Sequence, residues 1–266
     1  MVNQNTIKNL KINKEKNIGN VIVVVEGEEE EFKLLKQIFE RILDYSCVYI
    51  KRGNKDKIVY KSKTNKNSVV TIINTKSSNI KTLLSDGSYR EQLFNLINEN
   101  YDGSLKNIPI YMLWDRDRDS HEASLVRDLL LVFGDARDNG YEMNGLLLLS
   151  YPCIEAYELS TFTKRSSLID FESSSEAKAK IRSKKHSKNY SNQKITEDSL
   201  LLAAQNMNYA LEKFGINDYE LDSFKNTNIR VFDKEEEYYN ENGRIKILSL
   251  VSIMLFDLGI LFEDYE

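Results

Sequence analysis

The chain has 266 residues, of which 41% are hydrophobic and 29% charged, and a formal net charge of −4. This suits a soluble globular protein built as one large domain or a domain with an appendage, and it excludes a polycation that binds nucleic acid with its whole surface. No apolar run is long enough to span a bilayer, the basic N-terminal stretch has no apolar core behind it as a secretory signal would, and the two cysteines, Cys47 and Cys153, make neither a disulfide framework nor a metal-type spacing, so a cytoplasmic protein is expected.

Residues 1–19 read as a polar, flexible lead-in. Asn20–Val25 is a short continuous β-branched run, the pattern of a strand buried on both faces, and Glu26-Gly27 stops it. From Glu28 to about Asp44, Phe32, Leu35, Ile38, Phe39 and Ile42 recur at helical spacing, behind a glutamate-rich first turn that the helix dipole favours. Cys47–Ile50 reads as a second strand, and Ile58–Tyr60 as part of a loop or hairpin. Val69–Asn74 reads as a third strand and Tyr89–Asn100 as a helix. Ile108–Trp114 is a strand ending at Asp115, Glu122–Phe133 a helix, and Leu146–Leu149 an apolar strand ending at Ser150-Tyr151-Pro152. Strands alternating with helices predict an α/β domain with a mainly parallel sheet, over residues 20–160. Beyond 160 the texture changes. Residues 166–187 are rich in Ser and Lys, while Thr196–Phe214 and Ile245–Phe256 read as helices, so 161–266 is expected to form a mostly helical appendage.

Two tracts concentrate positive charge. Lys51–Lys66 holds seven basic residues against one Asp, and Lys178–Lys188 holds six plus His186. Each reads either as a solvated loop or as a contact for phosphates.

The acidic residues carry the chemistry. Glu26 and Asp115 both terminate apolar strands, and in open α/β sheets sites form at the carboxyl ends of strands. Residues i and i+2 of an extended segment face the same way, so Asp115 and Asp117 can share a cation. Hard divalent ions such as Mg²⁺ (or Mn²⁺) take carboxylate oxygens and serve phosphate chemistry. A single Asp or Glu after a strand is more often a helix cap. A cluster at one sheet edge is harder to explain that way, because uncompensated carboxylates repel one another.

Glu26-Gly27 after one strand and Asp115-Arg116-Asp117 after another resemble the Toprim pattern, a strand ending in Glu-Gly and a later strand ending in Asp-x-Asp. Together with Glu28, Glu31-Phe32 and the segment Ser150-Tyr151-Pro152-Cys153-Ile154-Glu155-Ala156-Tyr157, the chain resembles the RloB-like family of Toprim nucleases. It is more loosely similar to the Toprim subunit of the PARIS anti-phage system and to OLD-family nucleases. The likeness covers about residues 20–160. Tyr151 stands where that family usually has Asn, and Tyr157-Glu158 replaces a customary Trp-Leu.

The resemblance implies a Toprim-like sheet and a Mg²⁺- or Mn²⁺-dependent endonuclease cutting RNA or DNA, with tRNA a plausible target. It casts Glu26 as base or metal partner and Asp115 and Asp117 as metal ligands. Glu155 reads either as an additional acidic group of the site or as a buried helix-start carboxylate. Lys184, Lys185, His186 and Lys188 become candidates for nucleic-acid contact, with His121 the other histidine, just beyond the Asp cluster. The resemblance also implies an abortive-infection toxin controlled by an ABC/AAA-type ATPase encoded nearby, since this chain has no Gly-x-x-x-x-Gly-Lys-Ser/Thr loop of its own. A homodimer is a further possibility, and no membrane partner is expected. The alternative is a non-catalytic Toprim subunit that docks to and regulates such an ATPase.

Overall fold

The computed structural model describes residues 9–27, 29–50, 57–75, 89–119, 121–137, 143–186 and 194–264. Its centre is a seven-stranded mixed sheet. Four strands form a parallel core: β2 (Asn20–Val25), β5 (Val69–Asn74), β6 (Ile110–Asp115) and β7 (Leu146–Tyr151). β2 lies between β5 and β6, and β7 lies outside β6. Val21–Val25 are fully buried, as expected of an apolar run covered on both faces. On one side β4 (Lys57–Ser62) and β3 (Tyr45–Ile50) extend the sheet antiparallel. On the other, the two-residue β10 (Leu248–Ser249) pairs antiparallel with β7.

The helices between the strands follow the apolar periodicity. α1 (Glu30–Lys36) runs directly into a π-helical segment, Gln37–Ile42, and together they bury Phe32, Leu35, Ile38 and Phe39. α2 (Tyr89–Asn100) precedes β6, and α3 (Ala123–Val132) lies between β6 and β7. α4 (Glu155–Ser160) begins just after β7.

The region after 160 is mostly helical, with α5 (Ser174–His186), α6 (Glu197–Lys213), α7 (Phe224–Asn242) and α8 (Val251–Asp257). The Thr196 side chain caps α6, accepting from the Ser199 N–H at 3.3 Å. α7, which the sequence reading did not assign, packs on α3. The continuous helix expected over Ile245–Phe256 is corrected. Ile245–Lys246 (β9) pairs with β8 (Asp170–Phe171), Leu248–Ser249 joins the main sheet, and helix begins only at Val251. The run is buried apart from the half-buried Lys246, and a largely apolar run does not by itself choose between strand and helix. Within the expected lead-in, β1 (Leu10–Ile12) pairs antiparallel with β11 (Leu261–Glu263). One hydrophobic core reaches from Leu10 to Leu261 and joins both parts of the chain. Among the described residues, no helix is long and apolar enough to cross a membrane.

Candidate active site

The carboxyl ends of β2 and β6 lie side by side because the two strands pair in parallel, Val25 opposite Leu113. The residues that follow them therefore meet. The Asp115 N–H donates to Glu26 Oε2 at 3.3 Å, tying the two strand ends together. Asp115 continues inward. Its Oδ1 accepts from the Ile154 N–H at 2.7 Å, at the turn that opens α4, and its Oδ2 lies 3.3 Å from Lys178 Nζ on α5. Glu155, in the first turn of α4 and 2% exposed, faces Arg182 at 3.6 Å. These side chains, with Asp117 and Glu31, line a cleft of about 420 Å³ open to solvent.

Gly27 permits this closeness. A Cβ there would come within 2.5 Å of a Glu31 carboxylate oxygen, so Glu31 folds back over the strand end only because residue 27 has no side chain. Burial raises the Glu31 carboxyl, and the negative charges of Glu26 and Glu155 raise it further. Burial likewise pushes Asp115 up to about 8; Lys178 opposes the rise, and Glu26, Glu31 and Glu155 add to it. Burial pulls the Lys178 ammonium down, but Asp115, Cys153 and Glu155 outweigh it and hold the group above its ordinary value. The lysine stays cationic while the aspartate resists ionisation, chiefly because Asp115 is buried and, beyond that, because three other carboxylates repel its charge.

Behind the strand end, the backbone alternation expected of Asp115-Arg116-Asp117 is present. Asp115 and Asp117 line the cleft, while Arg116 is 1% exposed. Asp117 Oδ1 accepts from the Asp119 N–H at 3.2 Å. His121 is buried beside the cluster with Nε2 3.6 Å from Glu26 Oε1, and neither ring nitrogen makes a hydrogen bond with a described residue.

Glu26, Asp115 and Asp117, read from the sequence as one acidic group, thus line one cleft, and Glu155, for which two readings stood open, is both a lining residue of that cleft and a buried carboxylate at the start of α4. Lys184, Lys185 and His186 lie in the last turn of α5, and Lys188 lies outside the described residues. Among the residues whose side chains are described, Lys178 and Arg182, earlier in the same helix and four residues apart and so on one face, line the cleft. The sequence reading weighted the end of the tract; the i, i+4 spacing of Lys178 and Arg182 was the signal for its start. Cys153 is buried in a small apolar cluster with Leu159 and Phe171, as a core cysteine.

The donors suit a hard divalent cation by type, since all are carboxylate oxygens and their mutual crowding leaves negative charge that such an ion would compensate. The buried His121 imidazole at the same edge, 3.6 Å from Glu26 Oε1, adds a polar group beside the cluster. As placed, no group of three His, Cys, Asp or Glu among the described residues is close enough to hold one ion. Asp115 is instead compensated by Lys178. Comparison with protein-family models, with curated proteins and with solved structures finds no match.

Proposed function

We propose that the protein is a Mg²⁺- or Mn²⁺-dependent phosphodiesterase of the Toprim type, an endonuclease acting on RNA or DNA. The observation that carries the reading is the meeting of Glu26 and Asp115 at the carboxyl ends of two adjacent parallel strands, in one cleft with Asp117 and Glu155. Glu26, Asp115 and Asp117 would hold the cation, which when bound supplies charge neutralisation and activation of a water or hydroxyl. The protein's own groups do the rest. Glu26, the more exposed of the two strand-end carboxylates at 31% against 13%, is placed to take a proton at its Oε atoms. Lys178 and Arg182 present positive charge to a phosphate entering beside α5. The Ile154 N–H and the Glu26–Asp115 hydrogen bond hold Asp115 in one direction. In keeping with its resemblance to RloB-like proteins, the proposal extends to a cytoplasmic abortive-infection effector restrained by an ABC/AAA-type ATPase.

A second reading has its own support. Lys178 already compensates Asp115, and a site satisfied by an internal lysine suits a non-catalytic subunit that docks to such an ATPase. Purified protein incubated with tRNA, total RNA and plasmid, in Mg²⁺, in Mn²⁺ and in EDTA, with the partner present, separates the two. Cleavage that requires metal and is abolished by Glu26→Ala and Asp115→Ala supports the nuclease. Metal-independent cleavage, or equal behaviour of wild type and variants, overturns it.

A further inference from the structure

We infer that Glu236 is a positioning residue for the acidic site: from α7 it grips Arg116 and Arg118, and through them fixes the direction in which Asp117, the residue between them, faces the cleft. The inference rests on the metal-dependent reading above and names a residue that sets the geometry of one of its ligands.

The alternation of an extended segment is the starting point. If Asp115 and Asp117 face the cleft, Arg116 must point the opposite way, into the protein. A buried guanidinium is costly unless its donors are met. Arg116 meets them with a carboxylate on a helix 120 residues away: Nε lies 3.0 Å and Nη2 2.9 Å from Glu236 Oε1. The second oxygen of the same carboxylate takes Arg118 Nη1 at 2.5 Å. One glutamate therefore binds both arginines that flank Asp117.

The rest of the helix face matches. Arg116 lies 5.5 Å from the Phe232 ring centroid and Arg118 3.7 Å from that of Tyr239. Phe232, Glu236 and Tyr239 recur at helical spacing, so one stripe of α7 forms the back wall of the loop. The loop is also closed on itself. Arg116 Nη1 donates to the His121 carbonyl at 2.9 Å, and the His121 N–H donates to the Asp117 carbonyl at 3.0 Å. Without the Glu236 charge, the buried Arg116 would lose the carboxylate it is paired with, and the cheapest relief is for the loop to turn it toward solvent. That movement carries Asp117, its neighbour, with it.

Groups that orient metal ligands typically contribute about 10- to 100-fold to metal affinity. The test is Mn²⁺ titration calorimetry on the full chain, wild type against Asp117→Asn, Glu236→Gln and the double variant, with thermal melting of each. Glu236→Gln is expected to weaken Mn²⁺ binding by about 10- to 100-fold, and the double variant to bind no more weakly than Asp117→Asn alone. A purely structural role would lower the melting temperature and leave Mn²⁺ affinity unchanged, and that result overturns the inference; so does a loss in the double variant equal to the two single losses combined. Wild type that binds no Mn²⁺ sinks the metal-dependent reading and this inference together, whereas wild type that binds while Glu236→Gln binds equally well sinks this one alone. Should Glu236→Gln fail to fold, Arg118→Gln, which leaves the buried Arg116–Glu236 pair in place, carries the test. It is expected to weaken binding with Arg118→Lys partly restoring it, and unchanged affinity in Arg118→Gln refutes the clamp.

Discussion

Glu235, the neighbour of the clamp residue, gives a sharp prediction about pH. Its side chain is 2% exposed, and among the described residues its Oε1 has no hydrogen-bond partner while its Oε2 accepts a long bond from the Lys246 N–H at 3.4 Å. Burial is the largest influence and pushes its carboxyl up from 4.5 to about 8; the nearby Lys246 and Arg118 pull the other way, and Glu236 pushes with it. Tyr151, itself buried, also faces this carboxyl. Between pH 4.5 and 8 the folded protein keeps a proton that the unfolded chain has released. Raising the pH across that window therefore favours the unfolded chain, and stability falls. At about 1.4 kcal/mol per pH unit the full loss is about 5 kcal/mol, complete above pH 8 and absent below 4.5. Glu235→Gln removes the titration but buries an amide whose new donors lack partners, at about 1 to 3 kcal/mol. The variant is thus expected to be less stable than wild type at pH 5 and more stable at pH 9, with the two stability curves crossing between. Urea denaturation from pH 5 to pH 9 in EDTA measures both. A difference between wild type and variant that stays constant with pH would refute the reasoning.

Three further outcomes follow from the same geometry. Arg116→Ala leaves Glu236 without its buried partner and is expected to cost about 3 to 5 kcal/mol, lowering Tm by on the order of 10 °C; a calorimetric loss below about 1 kcal/mol contradicts the buried pair as a structural element. Gly27→Ala drives a methyl against the Glu31 carboxylate and is expected to cost about 1 kcal/mol by overpacking, a cost that disappears in denaturation curves when Glu31→Ala is added. Lys178→Met removes the cation that opposes the rise of the Asp115 carboxyl, so its titration midpoint, followed by carbon NMR of labelled aspartate, should lie above that of wild type. An unchanged midpoint would mean that the 3.3 Å contact contributes nothing in solution.

Much of the site was legible before any coordinates. Val21–Val25 and Ile110–Trp114 are apolar runs that end abruptly in an acidic residue, and a strand covered on both faces writes itself in sequence in just that way. The placement of Glu26 and Asp115 at strand ends needed nothing more. α7 was hidden for an equally local reason. Its buried positions, Phe224, Thr227, Asn228, Val231, Phe232 and Glu235, keep helical spacing, but three of the six are polar, so the hydrophobic period that marks a helix is broken. Two of these polar side chains reach elements far away in the chain: Asn228 donates to the Leu147 carbonyl, and Glu235 Oε2 accepts a long bond from the Lys246 N–H.

Sequence alone therefore determined the elements of the parallel core and which acidic residues end them, because apolar periodicity and strand termination are properties of consecutive residues. Only the tertiary structure decided that β6, rather than β3, lies beside β2, that Lys178 reaches Asp115, and that Glu236 takes both arginines of the loop. Strand order and the choice of charged partner join residues far apart in the chain. They are set by which buried surfaces and charges can be satisfied together, and no window of neighbouring residues contains that information.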